Sequence, residues 1–96
     1  MHVIIRTYYG KGVKQLFDIG EAHEAELQGL MRQIEGLVSY TLARNGHGGF
    51  SVTVCRTKRD IKRTLQTAHD FLAKYAPEKS LAAMQISEGK VITHIK

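Results

Sequence analysis

The chain has 96 residues, which is enough for one hydrophobic core and too few for two, so we expect a single domain over residues 1–96. Its apolar and charged fractions, 43% and 24%, are those of a globular protein and argue against a disordered or fibrous chain. The net charge of +5 permits an acidic partner such as nucleic acid. Much of the basic charge clusters where the second predicted helix begins and is typical of a solvated surface: Arg56, Lys58, Arg59, Lys62 and Arg63.

The single cysteine, Cys55, excludes a disulfide within the chain and any metal site built from several cysteines. The apolar run at the N-terminus is too short for a signal peptide, and no run approaches the length of a membrane span. We therefore expect a cytoplasmic protein that has no membrane partner.

The first half of the chain predicts a strand followed by a helix. "HVIIRTYY" (2–9) is rich in β-branched and aromatic residues and indicates a strand, which "GKG" (10–12) ends. From Val13 to Glu35 apolar residues recur at helical spacing, which predicts one long helix ended by Gly36. Its apolar face carries Leu16, Gly20, His23, Leu27, Leu30, Met31 and Ile34.

Two alternating segments follow, "LVSYTLAR" (37–44) and "GFSVTVCR" (49–56), and Asn45-Gly46 between them signals a hairpin. Thr57 and Asp60 have the spacing of a capping box, so a second helix begins here and runs to Pro77. "EKSLAAM" (78–84) is compatible with a short helical turn. Glu88-Gly89 indicates a turn, and "KVITHI" (90–95) indicates the last strand.

The order β-α-β-β-α-β predicts an α+β, ferredoxin-like fold, in which a four-stranded antiparallel sheet carries two helices on one face. Hydrophobicity assigns one set of strand residues to the helices: Tyr40, Leu42, Phe50, Val52 and Val54. The opposite set is small and uncharged: Ser39, Thr41, Ser51, Thr53 and Cys55. Exposed sheet faces usually carry more charge, so we expect a second copy of the chain to cover this face and form a homodimer.

The whole chain resembles the dimeric α+β barrel superfamily, which includes the antibiotic-biosynthesis-monooxygenase-like proteins. The resemblance is carried by "HVIIRTYYG", "IEGLVSYTL", "GFSVTVCRT" and "LQTAHDFLAKYAP". It implies sheets paired back to back and a helix–sheet cleft that takes a small aromatic or apolar ligand. Some members oxidise a substrate with O₂ and no cofactor, and others bind haem. The chain lacks the Trp that such enzymes place in the cleft, and we expect no cofactor.

The candidate site residues follow from these assignments. His69 resembles the histidine that such enzymes carry on the second helix, and its position fits either the edge of the cleft or solvent. His23 is either a core histidine held by a hydrogen bond or a cleft histidine that faces a ligand. Tyr40 and Phe50 are expected to pack in the core or, if the cleft is open, to line it. The histidines lack the local spacings of metal ligands, so no metal site is expected: His2, His23, His47, His69 and His94.

Three functions remain open. The first is ligand binding without demonstrated chemistry. The second is cofactor-independent oxygenation of a phenolic or polyketide-like substrate, with His69 or His23 as the catalytic proton acceptor. The third is RNA binding, which is disfavoured because Val52 and Cys55 occupy positions where an RNA-recognition strand carries aromatic residues.

Overall fold

The computed structural model describes residues 1–46, 48–76 and 83–96. Four strands form one antiparallel sheet in the order β2-β3-β1-β4, and the helices pack on one of its faces. The predicted ferredoxin-like α+β fold is confirmed. No helix in the described ranges is long and apolar enough to cross a membrane. The elements are β1 (His2–Tyr9), α1 (Val13–Ala22), α2 (Glu24–Arg32), β2 (Leu37–Asn45), β3 (Gly48–Cys55), α3 (Lys58–Tyr75) and β4 (Ala83–Lys90).

The predicted long first helix is two helices, which meet at His23. The backbone of His23 leaves the helical region, with φ −124° and ψ 31°. Its N–H still donates to Ile19 O at 3.0 Å, and its carbonyl accepts from the Leu27 N–H at 3.1 Å. A single non-helical residue interrupts the helix without disturbing the apolar periodicity, which explains why the sequence pattern concealed the break. Helix α2 ends at Arg32, earlier than the end predicted at Glu35, and Gly36 lies in the turn before β2.

The start of α3 agrees with the capping prediction. The Thr57 Oγ1 accepts a hydrogen bond from the Asp60 N–H at 3.2 Å, and the same hydroxyl donates to the Asp60 carboxylate at 2.8 Å. The carboxylate lies so close to Gly36 that a Cβ at position 36 would overlap it. The cap therefore also connects α3 to the turn that precedes β2.

The orientation predicted for β3 was wrong. Tyr40 pairs with Thr53 and Leu42 with Ser51, and directly opposed residues of antiparallel strands share a face. Three side chains predicted on the face opposite the helices are therefore buried beneath the helices instead, each with no exposed surface: Ser51, Thr53 and Cys55. Three apolar side chains predicted beneath the helices lie on the opposite, helix-free face, which we call the open face: Phe50, Val52 and Val54.

The physical reason is that alternation separates two sets of side chains without saying which set faces inward. An error of one position exchanges the two sets, because the strand period is two. Gly49 shows why the inner set of β3 is small. A Cβ at position 49 would overlap the Phe17 ring and the carbonyl oxygen of Ala43. Helix α1 thus packs directly against β3.

The last strand also differs from the prediction. β4 pairs with β1 along its whole length, from Tyr9 opposite Ala83 to His2 opposite Lys90, so Glu88 and Gly89 belong to the strand. The Val91 N–H donates to Met1 O at 3.0 Å, and β1 offers no further residue opposite the segment that follows. The strand predicted at 90–95 therefore stops at its first residue. Of the predicted helical turn, residues 78–82 lie outside the described residues and the remaining two begin β4.

Replacing Gly49 by Ala tests the close packing of α1 on β3. Overpacking of this kind costs about 1–3 kcal/mol, so the free energy of unfolding of Gly49→Ala should fall by that amount in urea titrations. Gly29→Ala is the matched control. Position 29 is helical and has open space around it, so alanine should be neutral or stabilise by about 0.5–1 kcal/mol. Equal stability of the two variants would contradict the packing described.

Candidate functional site

A cleft lies between the sheet and the helices. The space open to the centre of a water molecule is about 20 Å³, within a total unfilled volume of about 320 Å³ that includes the open mouth. The enclosed part thus has room for about one water molecule. Strands β1 and β2 form the floor and the three helices the walls, through Tyr8, Leu16, Gly20, Leu27, Tyr40, Leu42, Ala68, Phe71 and Leu72.

Tyr40 places a hydroxyl among these apolar side chains. Burial raises the pKa of Tyr40 to about 12, an effect that the positive charge of Arg6 partly opposes. The phenol is therefore neutral at physiological pH. It is suited to donate a hydrogen bond to a bound polar group and unsuited to accept a proton from a substrate.

The structure places neither predicted catalytic histidine in the cleft lining. The His69 side chain is 78% exposed, and its Nδ1 lies 3.6 Å from the Asp70 carboxylate. The His23 ring stacks on Tyr75 with 3.7 Å between ring centroids and meets the edge of Phe71 at 6.5 Å. Because Phe71 lines the cleft, His23 is separated from the cleft by one side chain.

Helices α2 and α3 are tied together beside His23. Glu26 accepts hydrogen bonds from the Tyr75 hydroxyl and, at 3.0 Å, from the Lys74 ammonium group. These hydrogen bonds hold the pKa of the Glu26 carboxyl below its usual value, and the bond from Tyr75 has the larger effect. The hydrogen bonds of Glu26 to Lys74 and Tyr75 therefore hold α2 against α3, and these two helices form one wall of the cleft.

Phe50, the other predicted cleft residue, lies on the open face and is 36% exposed. Its neighbours on that face include Val52 and Ile5, of which Ile5 is 39% exposed. Ser39 and Thr41 lie on the open face as predicted. This face is therefore more apolar than the sequence assignment suggested.

Cys55 is fully buried beneath the helices, in contact with the core cluster of Ile4 and Ile61. Desolvation, followed by the negative charge of Asp60, raises the pKa of the thiol to about 11. The thiolate is the reactive form, so this cysteine is chemically quiet in the folded protein.

A buried polar group beside the cleft was missed by the sequence analysis. Arg6 is only 5% exposed, and no described residue accepts a hydrogen bond from its Nε or Nη2. The hydroxyls of Ser51 and Thr53 are also buried, and none of the residues that the structure describes pairs with them. Period-two spacing could have found this group, because Arg6 falls between Ile4 and Tyr8 on the inner face of β1. In the ranges that the structure describes, no group of three or more His, Cys, Asp or Glu side chains is placed to hold a metal ion.

Comparison with family models gave no match, and no curated protein sequence matches the chain. Solved structures share its fold. A mutant of MhuD with two manganese protoporphyrin IX molecules bound per active site has a TM-score of 0.69 at 16% identity, over 100% of this chain and 99% of that one. A dimeric ferredoxin-like protein from an uncultured marine organism has a TM-score of 0.65 at 12% identity, over 99% and 95% of the two chains.

A mutant of SnoaB, a cofactor-independent oxygenase from Streptomyces nogalater, has a TM-score of 0.61 at 13% identity, over 98% of this chain and 94% of that one. Each alignment spans almost the whole of both chains, so the similarity extends to the complete arrangement of strands and helices. The chain therefore has the ferredoxin-like α+β fold of these proteins.

The burial of Cys55 predicts its reactivity. In the folded protein at pH 8, a disulfide reagent such as Ellman's reagent should label Cys55 slowly, since the thiol is both inaccessible and protonated. Labelling should become fast at the urea concentration where circular dichroism reports unfolding. Fast labelling of the folded protein would contradict the orientation of β3.

Proposed function

We propose that this protein is a homodimer that binds a small, partly apolar ligand in the helix–sheet cleft. The observation that carries the proposal is the cleft itself, an apolar concave site lined in part by Tyr40, whose phenol is neutral. Ligand sites generally combine an apolar lining with a few oriented polar groups. The enclosed space holds about one water molecule, so a ligand would occupy the mouth and move the walls apart.

The structures with the same fold support small-molecule binding at the level of the fold. One of them is MhuD with manganese protoporphyrin IX in its active site, and another is the oxygenase SnoaB. Oxygenation by this chain would require a proton acceptor in the cleft. His23 and His69 do not line it, and the raised pKa of Tyr40 makes its phenol hold its proton. We therefore place binding ahead of histidine-dependent chemistry.

The open face supports the homodimer. Its centre presents Ile5, Phe50 and Val52, and contiguous apolar surface on a sheet generally marks an interaction site. A second copy related by two-fold symmetry would bring the same apolar surface against itself. Phe50 of β3 and Tyr9 of β1 are the aromatic side chains that the described residues of β1, β2 and β3 place on this face, and these strands place no described Lys or Arg there. RNA would find two rings at one end of the face but no phosphate-binding charge on these strands, so self-association is the better assignment.

Filling the cleft tests ligand binding. Ala68→Leu adds carbon atoms to the wall of the cleft, whereas Ala73→Leu adds the same atoms to the exposed side of α3. Native mass spectrometry of freshly purified protein should show the wild type and Ala73→Leu with the same retained ligand and Ala68→Leu without it, both variants keeping the wild-type circular dichroism. Where the purified protein carries no ligand, the fluorescent neutral probe N-phenyl-1-naphthylamine takes its place in the same comparison. Equal binding to both variants would rule out the cleft as the site.

Placing a charge on the open face tests the homodimer. Val52→Lys buries an ammonium group in the proposed interface, which should weaken association by about 100-fold or more, because an unpaired buried charge costs several kcal/mol. Gln28→Lys, on the exposed surface of α2, makes the same charge change away from the sheet. Sedimentation velocity should show a dimer for the wild type and Gln28→Lys and a monomer for Val52→Lys. A monomeric wild type would refute the homodimer.

A further inference from the structure

Arg6 is a buried positive charge with no ion-pair partner among the described residues. It lies on the inner face of β1, opposite Ser51 of β3, and is only 5% exposed. Its guanidinium carbon lies 5.9 Å from the centre of the Tyr8 ring, yet no described residue accepts hydrogen bonds from Nε or Nη2. A buried charge without a hydrogen-bonded partner is strongly destabilising, so an arrangement of this kind indicates a missing acceptor.

Two further polar atoms lie on the same patch of the sheet. Ser51 is directly opposite Arg6, and Thr53 follows two residues later on the same face, opposite Tyr40. Both hydroxyls are buried and have no hydrogen-bond partner among the described residues. Opposed side chains on one face lie about 5 Å apart at Cβ, and diagonal ones about 7–8 Å, so the guanidinium and the two hydroxyls are neighbours on the sheet.

This patch adjoins the floor of the cleft. Tyr8 and Tyr40 both line the cleft, Tyr8 lies under the Arg6 guanidinium, and the charge of Arg6 acts on Tyr40. Leu42, also in the lining, is paired with Ser51. Arg6, Ser51 and Thr53 do not line the cleft themselves; they are buried beside the floor that Tyr8, Tyr40 and Leu42 form.

Glu88 of β4 lies on the same face of the sheet, opposite Ile4, but no described ion pair joins it to Arg6. Two other carboxylates of the described chain are engaged elsewhere. Asp18 accepts from Lys14 and Arg44, and Glu26 accepts from Lys74 and Tyr75. Water could satisfy the two hydroxyls, but it cannot neutralise the charge of Arg6.

We propose that Arg6, Ser51 and Thr53 bind the anionic group of the ligand, so that the cleft takes an organic acid with an apolar or aromatic body. This inference rests on the proposed ligand-binding function and specifies the chemical class of the ligand. The guanidinium supplies charge-assisted hydrogen bonds to a carboxylate, sulfonate or similar oxyanion, and the two hydroxyls donate to the same group. The apolar body then lies against the helix-side lining.

Two fluorescent probes with the same ring system test the proposal. 8-Anilinonaphthalene-1-sulfonate is an anion, and N-phenyl-1-naphthylamine is the same ring system without the sulfonate. Arg6→Met should weaken binding of the sulfonate probe by about tenfold or more and change binding of the neutral probe by less than about twofold. Arg32→Met, on the exposed surface of α2, makes the same charge change and should leave both affinities unaltered.

Ala68→Leu reports whether the probes occupy the cleft and should abolish binding of both. If both probes bind in the cleft by this criterion and Arg6→Met leaves the sulfonate affinity unchanged, the anion site is refuted and the ligand-binding function stands. If neither probe shows binding that Ala68→Leu removes, the ligand-binding function falls and the anion site falls with it.

Stability provides a second readout for the same residues. Without ligand, Arg6→Met should unfold at a higher urea concentration than the wild type, because a buried unpaired charge is replaced by an apolar side chain of similar length. A lower midpoint would assign Arg6 a structural role and contradict the proposal. Thr53→Val keeps the side-chain shape and removes one hydroxyl. Thr53→Val should lower the affinity for the sulfonate probe by a few-fold and leave the affinity for the neutral probe unchanged. If Arg6→Met does not fold, Thr53→Val replaces it in the binding test.

Discussion

The pairing of β3 between β1 and β2 determines what each face of the sheet presents. With Arg6 opposite Ser51 and Tyr40 opposite Thr53, the small polar residues of β3 lie under the helices and its larger apolar residues lie outside. A shift of one residue would exchange the two sets. The small inner side chains let helix α1 approach β3 closely at Gly49, and they leave the neighbouring tyrosines of β1 and β2 to form the floor of the cleft.

The walls of the cleft depend on how the helices are held above that floor. The break at His23 divides the first helical segment, and the His23 ring stacks on Tyr75 of α3. The hydrogen bonds of Glu26 to Tyr75 and Lys74 tie α2 to α3 at the same place. His23 thus joins three helices through backbone and ring contacts, which is a structural explanation for a histidine that the sequence places on an apolar face.

Local signals predicted β1, the β2–β3 hairpin and the start of α3, but not the break at His23 or the position of β4. The β-branched run of β1, the Thr57 cap of α3 and the hairpin before β3 each have a cause within a few residues, and each is found in the structure. Two errors arose where the cause is distant. The orientation of β3 depends on which helix packs over it, and the end of β4 depends on how much of β1 remains for pairing. Strand propensity in "KVITHI" cannot create a pairing partner.

The site was less predictable for the same reason. Tyr40 was identified because hydrophobicity assigned its set of β2 side chains to the helices, whereas His69 was placed by resemblance and lies in solvent. Arg6 was overlooked because its burial and its lack of a partner among the described residues are properties of the surrounding structure. Alternation does place Arg6 on the same face as Ile4 and Tyr8, but it does not show that this face is the inner one.

A methyl-detected NMR titration of the protein with 8-anilinonaphthalene-1-sulfonate tests directly whether the helix–sheet cleft is the ligand site. Binding in the cleft should give the largest shifts at methyl groups that line it, those of Leu16, Leu27, Leu42, Ala68 and Leu72. Methyl groups of the open face, such as those of Ile5 and Val52, should shift little. Shifts confined to the open face, with the cleft methyl groups unmoved, would contradict the assignment of the helix–sheet cleft as the ligand site.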